Sequence, residues 1–469
     1  MNSKLASQIL AVLLLLWPSG ALSAQTSDEV RDLRKQIEGL EQVISSLKHQ
    51  VDAMEKRLSS PAAPNAPQPD SPTAPPSTLV AVTNPLSQRE TSRRDAETVA
   101  RVDNAPLDSS RKGYILIPGT QSSFKISGYA KMDMIIDPKL AGNSDQFLTS
   151  SIPIGIPPGA NNSSFNLHGR QTRFNVDFQR PGTLGPLRVF LEADFFGSEG
   201  PTAFRMRHAY GQARNVLVGW TWSTLVDADA FPDTLDNMSP NGAAKTRQPQ
   251  VRYTVPMTGG NSLAFGVEKP NAEINIQGVS NVNPYPDVIV RYRHENQRGH
   301  FQIGSVFRQI GGSSQALNIT RSVFGSGAML TGGIKVMGND FFVFDASYGN
   351  GMAHYMDVTA GLGLDASVNA ARTGLEALPA FGSYGGFQHR WSRTLRSTAT
   401  YGFAQITNSP TQGDAVFHKG QYVSGNIIWR PVKTGEVGFE YLFGDHTRKD
   451  GGSATASRLQ ISLKYDLIY

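Results

Sequence analysis

From residue 113 onward the chain repeats one pattern. Short runs of alternating apolar and polar residues are cut by turns rich in Gly, Asn, Asp and Pro. The last run shows it most plainly. Counting back from Tyr469, Leu467, Tyr465, Leu463, Ile461 and Leu459 fall on one face; Asp466, Lys464, Ser462, Gln460 and Arg458 fall on the other, and only Ile468 breaks the order. A period of two is a strand with one oily face and one wet face. A globular edge strand would look the same, so the weight lies in the repetition. Leu187–Phe195 sets Arg188, Phe190, Glu192 and Asp194 opposite an apolar face. Val251, Tyr253 and Val255 oppose Gln250, Arg252 and Thr254, while Val288, Val290 and Tyr292 oppose Ile289, Arg291 and Arg293. Phe124–Asp137 and Glu436–Phe443 read the same way. Turn signals such as "RPGTLGP" (180–186), "PMTGGNS" (256–262) and "RPVKTGE" (430–436) separate them.

About sixteen such runs fit between residues 113 and 469, with room for the roughly 9–11 residues that a membrane-crossing strand needs. The expectation is an all-β fold, a transmembrane antiparallel barrel of about sixteen strands with short turns at one end and long loops at the other. A soluble sandwich or propeller would need a continuous apolar core, and charged faces recur too often for one. Gly 46 and aromatic 9% suit an all-β chain rich in turns. Mean hydropathy is −0.29, as expected where lipid-facing residues hide in alternation.

Three unlike segments precede the barrel. Lys4, the apolar run Ile9–Trp17 and the small residues up to Ala24 read as a secretory signal over residues 1–24, because the apolar run is too short to span a bilayer. Val30, Leu33, Ile37, Leu40, Ile44, Leu47, Val51, Met54 and Leu58 alternate spacings of three and four, which predicts a coiled coil over residues 25–59. The other reading of that stretch is an amphipathic helix packed on its own domain. Residues 60–112 open with "SPAAPNAPQPDSPTAPPS" and stay polar; this is a Pro-rich linker that cannot bury a core.

Six stretches carry a family resemblance: "GYILIPGTQSSFKISGYAKMDMIID" (113–137), "RQTRFNVDFQRP" (170–181), "LRVFLEADFFG" (187–197), "RMRHAYGQ" (205–212), "GWTWSTLVDADAFPDTLD" (219–236) and "RQPQVRYTVP" (247–256). Together they resemble the DcaP-like porins of the Gram-negative outer membrane. The N-terminal coiled coil followed by a linker also matches that family. The resemblance implies a homotrimeric, sixteen-stranded channel for small solutes, with anionic ones such as dicarboxylates favoured. It also implies that an inward loop follows the "GWTWSTL" stretch. An aromatic last residue is common in such barrels, where Tyr469 stands in place of the more usual Phe.

Charge gives a separate hint. Beyond residue 112 the chain holds 31 Lys+Arg and 26 Asp+Glu, while the first 112 residues hold 13 of each. The whole excess of +5 therefore belongs to the barrel. Its wet faces carry Arg170, Arg173, Arg188, Arg205, Arg207, Arg247, Arg252, Arg291 and Arg293, with Arg308 and Arg390 further on. An arginine facing lipid at mid-membrane costs about 2–4 kcal/mol, so these belong to the lumen or to the headgroup rim. In the lumen each could hold a carboxylate through two parallel hydrogen bonds. The segment Asp227–Ala244 is longer than a turn and carries Asp227, Asp229, Asp233 and Asp236. It is either an ordinary surface loop or a constriction loop whose acids face the arginines across a narrow ring. Trp220, Trp222, Trp391 and Trp429 are candidates for the interfacial aromatic girdle, with packing inside the protein as the alternative.

Other chemistry finds little support. Cysteine is absent, which removes disulfides and thiolate chemistry. The nine His are scattered without the spacing of a metal site. "GLGLDA" (361–366) matches a dinucleotide fingerprint only by letters, and no G-x-S-x-G elbow occurs. No enzyme activity, cofactor, metal or nucleic-acid partner is expected. The expected partners are small anionic solutes, outer-membrane lipids and two further copies of the chain. A second hypothesis makes the barrel an anchor, with the coiled coil acting as adhesin or as a tether to peptidoglycan or periplasmic proteins. Trimeric adhesins supply only a few strands per chain, whereas this chain supplies a full set.

Overall fold

The structure, a computed structural model, describes residues 113–157, 162–183, 185–198, 200, 202–316 and 318–467. The expected signal segment, coiled coil and linker lie outside them, as does Tyr469. Sixteen wall strands follow in order: β1 (Ser123–Lys139), β2 (Ser164–His168 and Arg173–Arg180, one strand interrupted), β3 (Leu187–Asp194), β4 (Arg205–Ala213), β5 (Val216–Trp222), β6 (Arg247–Pro256), β7 (Asn261–Glu268) and β8 (Asp287–Asn296). The second half comprises β9 (Gly299–Ser314), β10 (Ile319–Lys335), β11 (Phe341–Asn350), β12 (Pro379–Arg390), β13 (Leu395–Ile406), β14 (Phe417–Val432), β15 (Gly435–Arg448) and β16 (Ser453–Asp466). Each strand pairs antiparallel with the next. β16 then pairs back to β1, Tyr129 opposite Asp466 and Met134 opposite Ile461, so the sheet closes and leaves no free edge.

The predicted alternation is the inside and the outside of this barrel. On β16, Leu459, Leu463 and Tyr465 are exposed, while Arg458, Gln460 and Ser462 are buried. On β6, Val251 and Tyr253 are exposed, and Gln248, Gln250 and Arg252 are buried. Exposed apolar side chains ring the outer face, from Ile126 and Met132 on β1 through Phe265 and Val267 on β7 to Ile427 and Trp429 on β14. In lipid every backbone polar group must be satisfied internally, and a closed barrel meets that demand. No helix among the described residues is long and apolar enough to cross a membrane. Replacing Val251 by arginine on this outer face is expected to cost about 2–4 kcal/mol of folding free energy in lipid vesicles, read from urea titrations of tryptophan fluorescence.

The connections divide by end. Residues 181–186, 214–215, 257–260, 297–298, 336–340, 391–394 and 433–434 are short turns at one rim. At the other rim, residues 140–163, 223–246, 269–286 and 351–378 are long. These four long connections supply much of the buried material inside the barrel. Ile152, Leu225, Leu235, Ala244, Ile274, Tyr355 and Met356 are all buried.

A candidate solute site inside the barrel

The connection 223–246 runs along the inner wall because the wall makes room for it. Glycines stand on inward positions where Leu225, Pro232 and Leu235 of the loop press on the wall. A methyl added at Gly304 would lie 2.8 Å from Leu225, one at Gly386 2.9 Å from Pro232, and one at Gly438 2.6 Å from Leu235. Gly242, in the left-handed region at φ +85°, presses the loop's own backbone against β12 and β13. A Cβ there would meet the Phe403 carbonyl oxygen at 2.7 Å.

The four loop acids fasten it. Asp227 accepts from Arg293 Nη1 at 2.8 Å and from the Thr331 hydroxyl at 2.8 Å, and it faces His300 Nε2 at 2.9 Å. Asp229 accepts from Arg293 Nη2 at 2.6 Å. Asp233 accepts from Arg396 at 2.5 Å and Gln388 at 2.9 Å. Asp236 accepts from the Phe147 amide at 3.0 Å and lies 3.6 Å from Arg458. Beside it, Glu440 accepts both the Leu235 and Asp236 amides at 2.8 and 2.9 Å, and Lys131 donates to the Leu235 carbonyl at 2.6 Å. Burial alone would raise the Asp227 carboxyl, but His300, Arg293 and the Thr331 hydroxyl outweigh it and hold Asp227 well below the usual carboxylate range. At Asp236 burial wins over Arg458 and two amide donors, and its carboxyl is raised.

Thus the acids touch basic residues directly instead of facing them across open space. Of their partners only Arg293 belongs to the arginines singled out from sequence. Arg396, Arg458 and His300 lie far along the chain, and nothing local to 227–244 points to them.

Of the remaining sequence-derived arginines, Arg173, Arg188, Arg205, Arg207, Arg247, Arg252 and Arg291 lie on β2 to β8, Arg308 on β9 and Arg390 on β12. Arg188 forks onto Asp177 with bonds of 2.9 and 2.7 Å. Arg205 takes Asp194 at 2.8 and 2.6 Å, and Arg207 bridges Glu192 and Asp194 at 2.9 Å each. Arg205 and Arg207 sit beside inward-facing His208 because the β3–β4 ladder shifts register between Glu192 and Ala193. Strict alternation could not show that shift. Arg173 is buried, 3.6 Å from Glu192 and over the Tyr129 ring. Arg252 donates to the Trp222 carbonyl at 2.6 Å and to Thr224 and Gln250 at 3.0 Å. Arg291 is buried on β8. Arg308 spans Asp365 at 3.0 Å and Asp287 at 3.3 Å, fastening the 351–378 connection.

Two positions take the second of the alternatives read from the sequence. Arg170 lies in the interruption of β2, at the long-loop rim. It pairs with Asp145 and donates to the carbonyls of Phe195 at 3.0 Å and Gly197 at 2.8 Å. Trp222 is no part of a lipid-facing girdle. It is buried among His208 and Phe231, and the Arg247 guanidinium lies 3.4 Å above its ring. The interior supplies a flat cation–π contact there that an outer position would lack. Trp391 and Trp429 are exposed.

What the sequence did not show is how these arginines pair with the acids that share their faces. Asp177, Glu192 and Asp194 share the wet faces of β2 and β3, but only the strand register shows which arginine each one meets. The wall is therefore a mixed lattice with a basic excess, held rigid by buried ion pairs.

Comparison with known proteins agrees with this architecture. The family described as DcaP outer membrane protein matches residues 109–467. The crystal structure of the outer membrane channel DcaP of Acinetobacter baumannii superposes with a TM-score of 0.66 at 23% identity, covering 74% of this chain and 97% of that one. The OmpF structure of Salmonella typhi in complex with daunomycin covers 76% of this chain and 100% of that one at 12% identity, with a TM-score of 0.49. No curated protein matches the chain. On the extent of the family match and the closed sixteen-stranded barrel, this chain belongs to the DcaP outer membrane protein family.

Proposed function

We propose that the chain is a passive diffusion channel of the outer membrane for small anionic solutes, with dicarboxylates as the favoured class. The observation that carries this reading is the distribution of charge inside the barrel. The 223–246 connection lies along one side, where its acids take up the charges of Arg293 and Arg396, while Arg458 forks onto Asp137 and lies 3.6 Å from Asp236. The β2–β8 wall keeps Arg173, Arg188, Arg205 and Arg207 against Asp177, Glu192 and Asp194, with Arg247 stacked on Trp222. A surface with more fixed guanidinium than carboxylate attracts anions and orients those with two carboxylates. In this reading Arg252 and Arg291 extend the basic wall, Arg170 guides solute at the mouth, and Asp227, Asp229, Asp233 and Asp236 set the bore by pinning the inward loop. The 25–59 heptads join three copies in the periplasm and approach the cell wall, with residues 60–112 as the leash. Short turns then face the periplasm, as in other outer-membrane barrels.

The test is electrical. Purified protein in a planar bilayer under a KCl gradient should give a reversal potential of anion-selective sign, and succinate should block the current in steps. A cation-selective potential without block would exclude the anion reading and leave the barrel untouched.

A further inference from the structure

At the short-turn rim, four neighbouring inward side chains each keep a polar atom without a partner. The register sets Ser123 of β1 opposite Gln179 of β2, Gln179 opposite Arg188 of β3, and Arg188 opposite Gln212 of β4. All four are buried. Ser123 Oγ, Gln179 Oε1, Arg188 Nη1 and Gln212 Oε1 have no hydrogen-bond partner among the described residues. Such unmade bonds are costly in a buried place and call for an occupant. Arg188 is fixed in place for one. Its Nε and Nη2 fork onto Asp177 and its guanidinium lies 5.2 Å over the Phe190 ring, which leaves Nη1 as a rigid spare donor. Lys125 of β1 stands opposite Asp177, and among the described residues no ion pair engages its ammonium. Asp177 thus faces two cations, and the row is net positive.

The chain ahead of β1 lies over this row. Gly113, in the left-handed region at φ +89°, sits against Lys125, where an added methyl would be 3.4 Å from Cε. The Tyr114 hydroxyl accepts from Gln179 Nε2 at 2.7 Å. Two residue pairs hold this segment in the sheet, Ile115 with Phe124 and Leu116 with Ser123, and so short a pairing is marginal by itself.

We propose that Ser123, Lys125, Gln179, Arg188 and Gln212 form a carboxylate-binding subsite at the short-turn end of the channel, and that Tyr114 is its lid. This rests on the anion-channel reading above and names where a solute is held at that end. One solute carboxylate takes Arg188 Nη1 and the Lys125 ammonium. Ser123 and the two glutamine amides, which offer donor or acceptor on rotation, meet its other polar end. The row crosses three strand spacings, about 14 Å, so a small diacid fits within it. With the lid down, the Tyr114 hydroxyl stands in for the solute at Gln179. With the lid lifted, the row opens to the short-turn side. Conduction requires a site that also releases its solute, and a returning lid competes for the same amide.

The experiment uses the full-length protein in planar bilayers, with succinate added to one side at a time. Tyr114→Ala removes the lid and is expected to raise the rate of blocking events from the short-turn side about two- to fivefold, and from the long-loop side by less. Lys125→Gln should shorten each blocked event about two- to fivefold, the scale of one half-exposed charge contact, and it carries the test should Tyr114→Ala fail to assemble. If wild-type channels are anion-selective and blocked, but an assembled Tyr114→Ala keeps the wild-type event rate from the short-turn side, Tyr114 is no lid and the proposal falls. Blocked times unchanged in Lys125→Gln would mean that the unpartnered atoms hold water only, and would overturn it as well. If wild-type channels show no anion preference, the channel reading fails first and takes this proposal with it.

Discussion

Asp227→Ala is expected to destabilise the protein by about 3–5 kcal/mol, because it removes the acceptor shared by a buried cluster and leaves charge behind. Arg293 Nη1, the Thr331 hydroxyl and His300 Nε2 all converge on this one carboxylate, which is almost wholly buried. Arg293 retains Asp229 at 2.6 Å and Glu295 at 3.5 Å, but His300 and Thr331 lose the partner they share. The measurement is a urea titration of protein in lipid vesicles, paired with limited proteolysis within 227–244. Asp227→Asn keeps the shape and one acceptor and should fall between the alanine variant and wild type. The pH dependence has a definite sign. The folded Asp227 carboxyl is depressed, so its contribution is complete above the unfolded value of 3.8 and is lost only as pH falls through the depressed one. Asp236 is the reverse: its raised carboxyl favours the folded state increasingly as pH falls from its folded value toward 3.8. Mild acid should therefore loosen neither anchor. A loop that becomes protease-sensitive on mild acidification would contradict this account.

The second large effect is expected at Gly242. Valine there meets two barriers, a left-handed backbone at φ +85° and a Cβ that would sit 2.7 Å from the Phe403 carbonyl oxygen. β-branched residues tolerate that backbone least, and the strain alone is about 1–3 kcal/mol. The wall cannot yield, because Phe403 is held in the β12–β13 ladder opposite Ser383. The loop must move instead. Gly242→Val should free the return half of the connection from β12 and β13 while the barrel still assembles. Single-channel conductance should rise, and on the proposed anion-channel reading the anion preference should drop toward that of a plain water-filled bore. Conductance and reversal potential measured together decide it. A variant with wild-type values for both would show that this contact does not set the bore.

Both predictions depend on contacts between residues far apart in sequence, which is where local reading stops. The barrel was legible because lipid imposes a rule on each strand alone. Leu459, Leu463 and Tyr465 turn outward and Arg458, Gln460 and Ser462 inward for a reason contained within β16, the solvent preference of each side chain. The turns, an approximate strand number and the family resemblance could be read from the same local signals. The basic excess beyond residue 112 was also visible, since a net charge is a sum and needs no geometry.

The partner of each charge was not visible. Asp233 meets Arg396 and Asp236 approaches Arg458 because closing the barrel brings β13 and β16 beneath a loop that leaves β5. Arg205 and Arg207 both turn inward only because one register shift breaks the period of two. Trp222 reads either as an interfacial aromatic or as one packed inside the protein until the fold stacks Arg247 on it. A sequence determines which side of a strand a residue takes, because that choice is made against solvent. Which charge it meets is decided by closure, register and the inward path of a loop, and those are properties of the whole barrel.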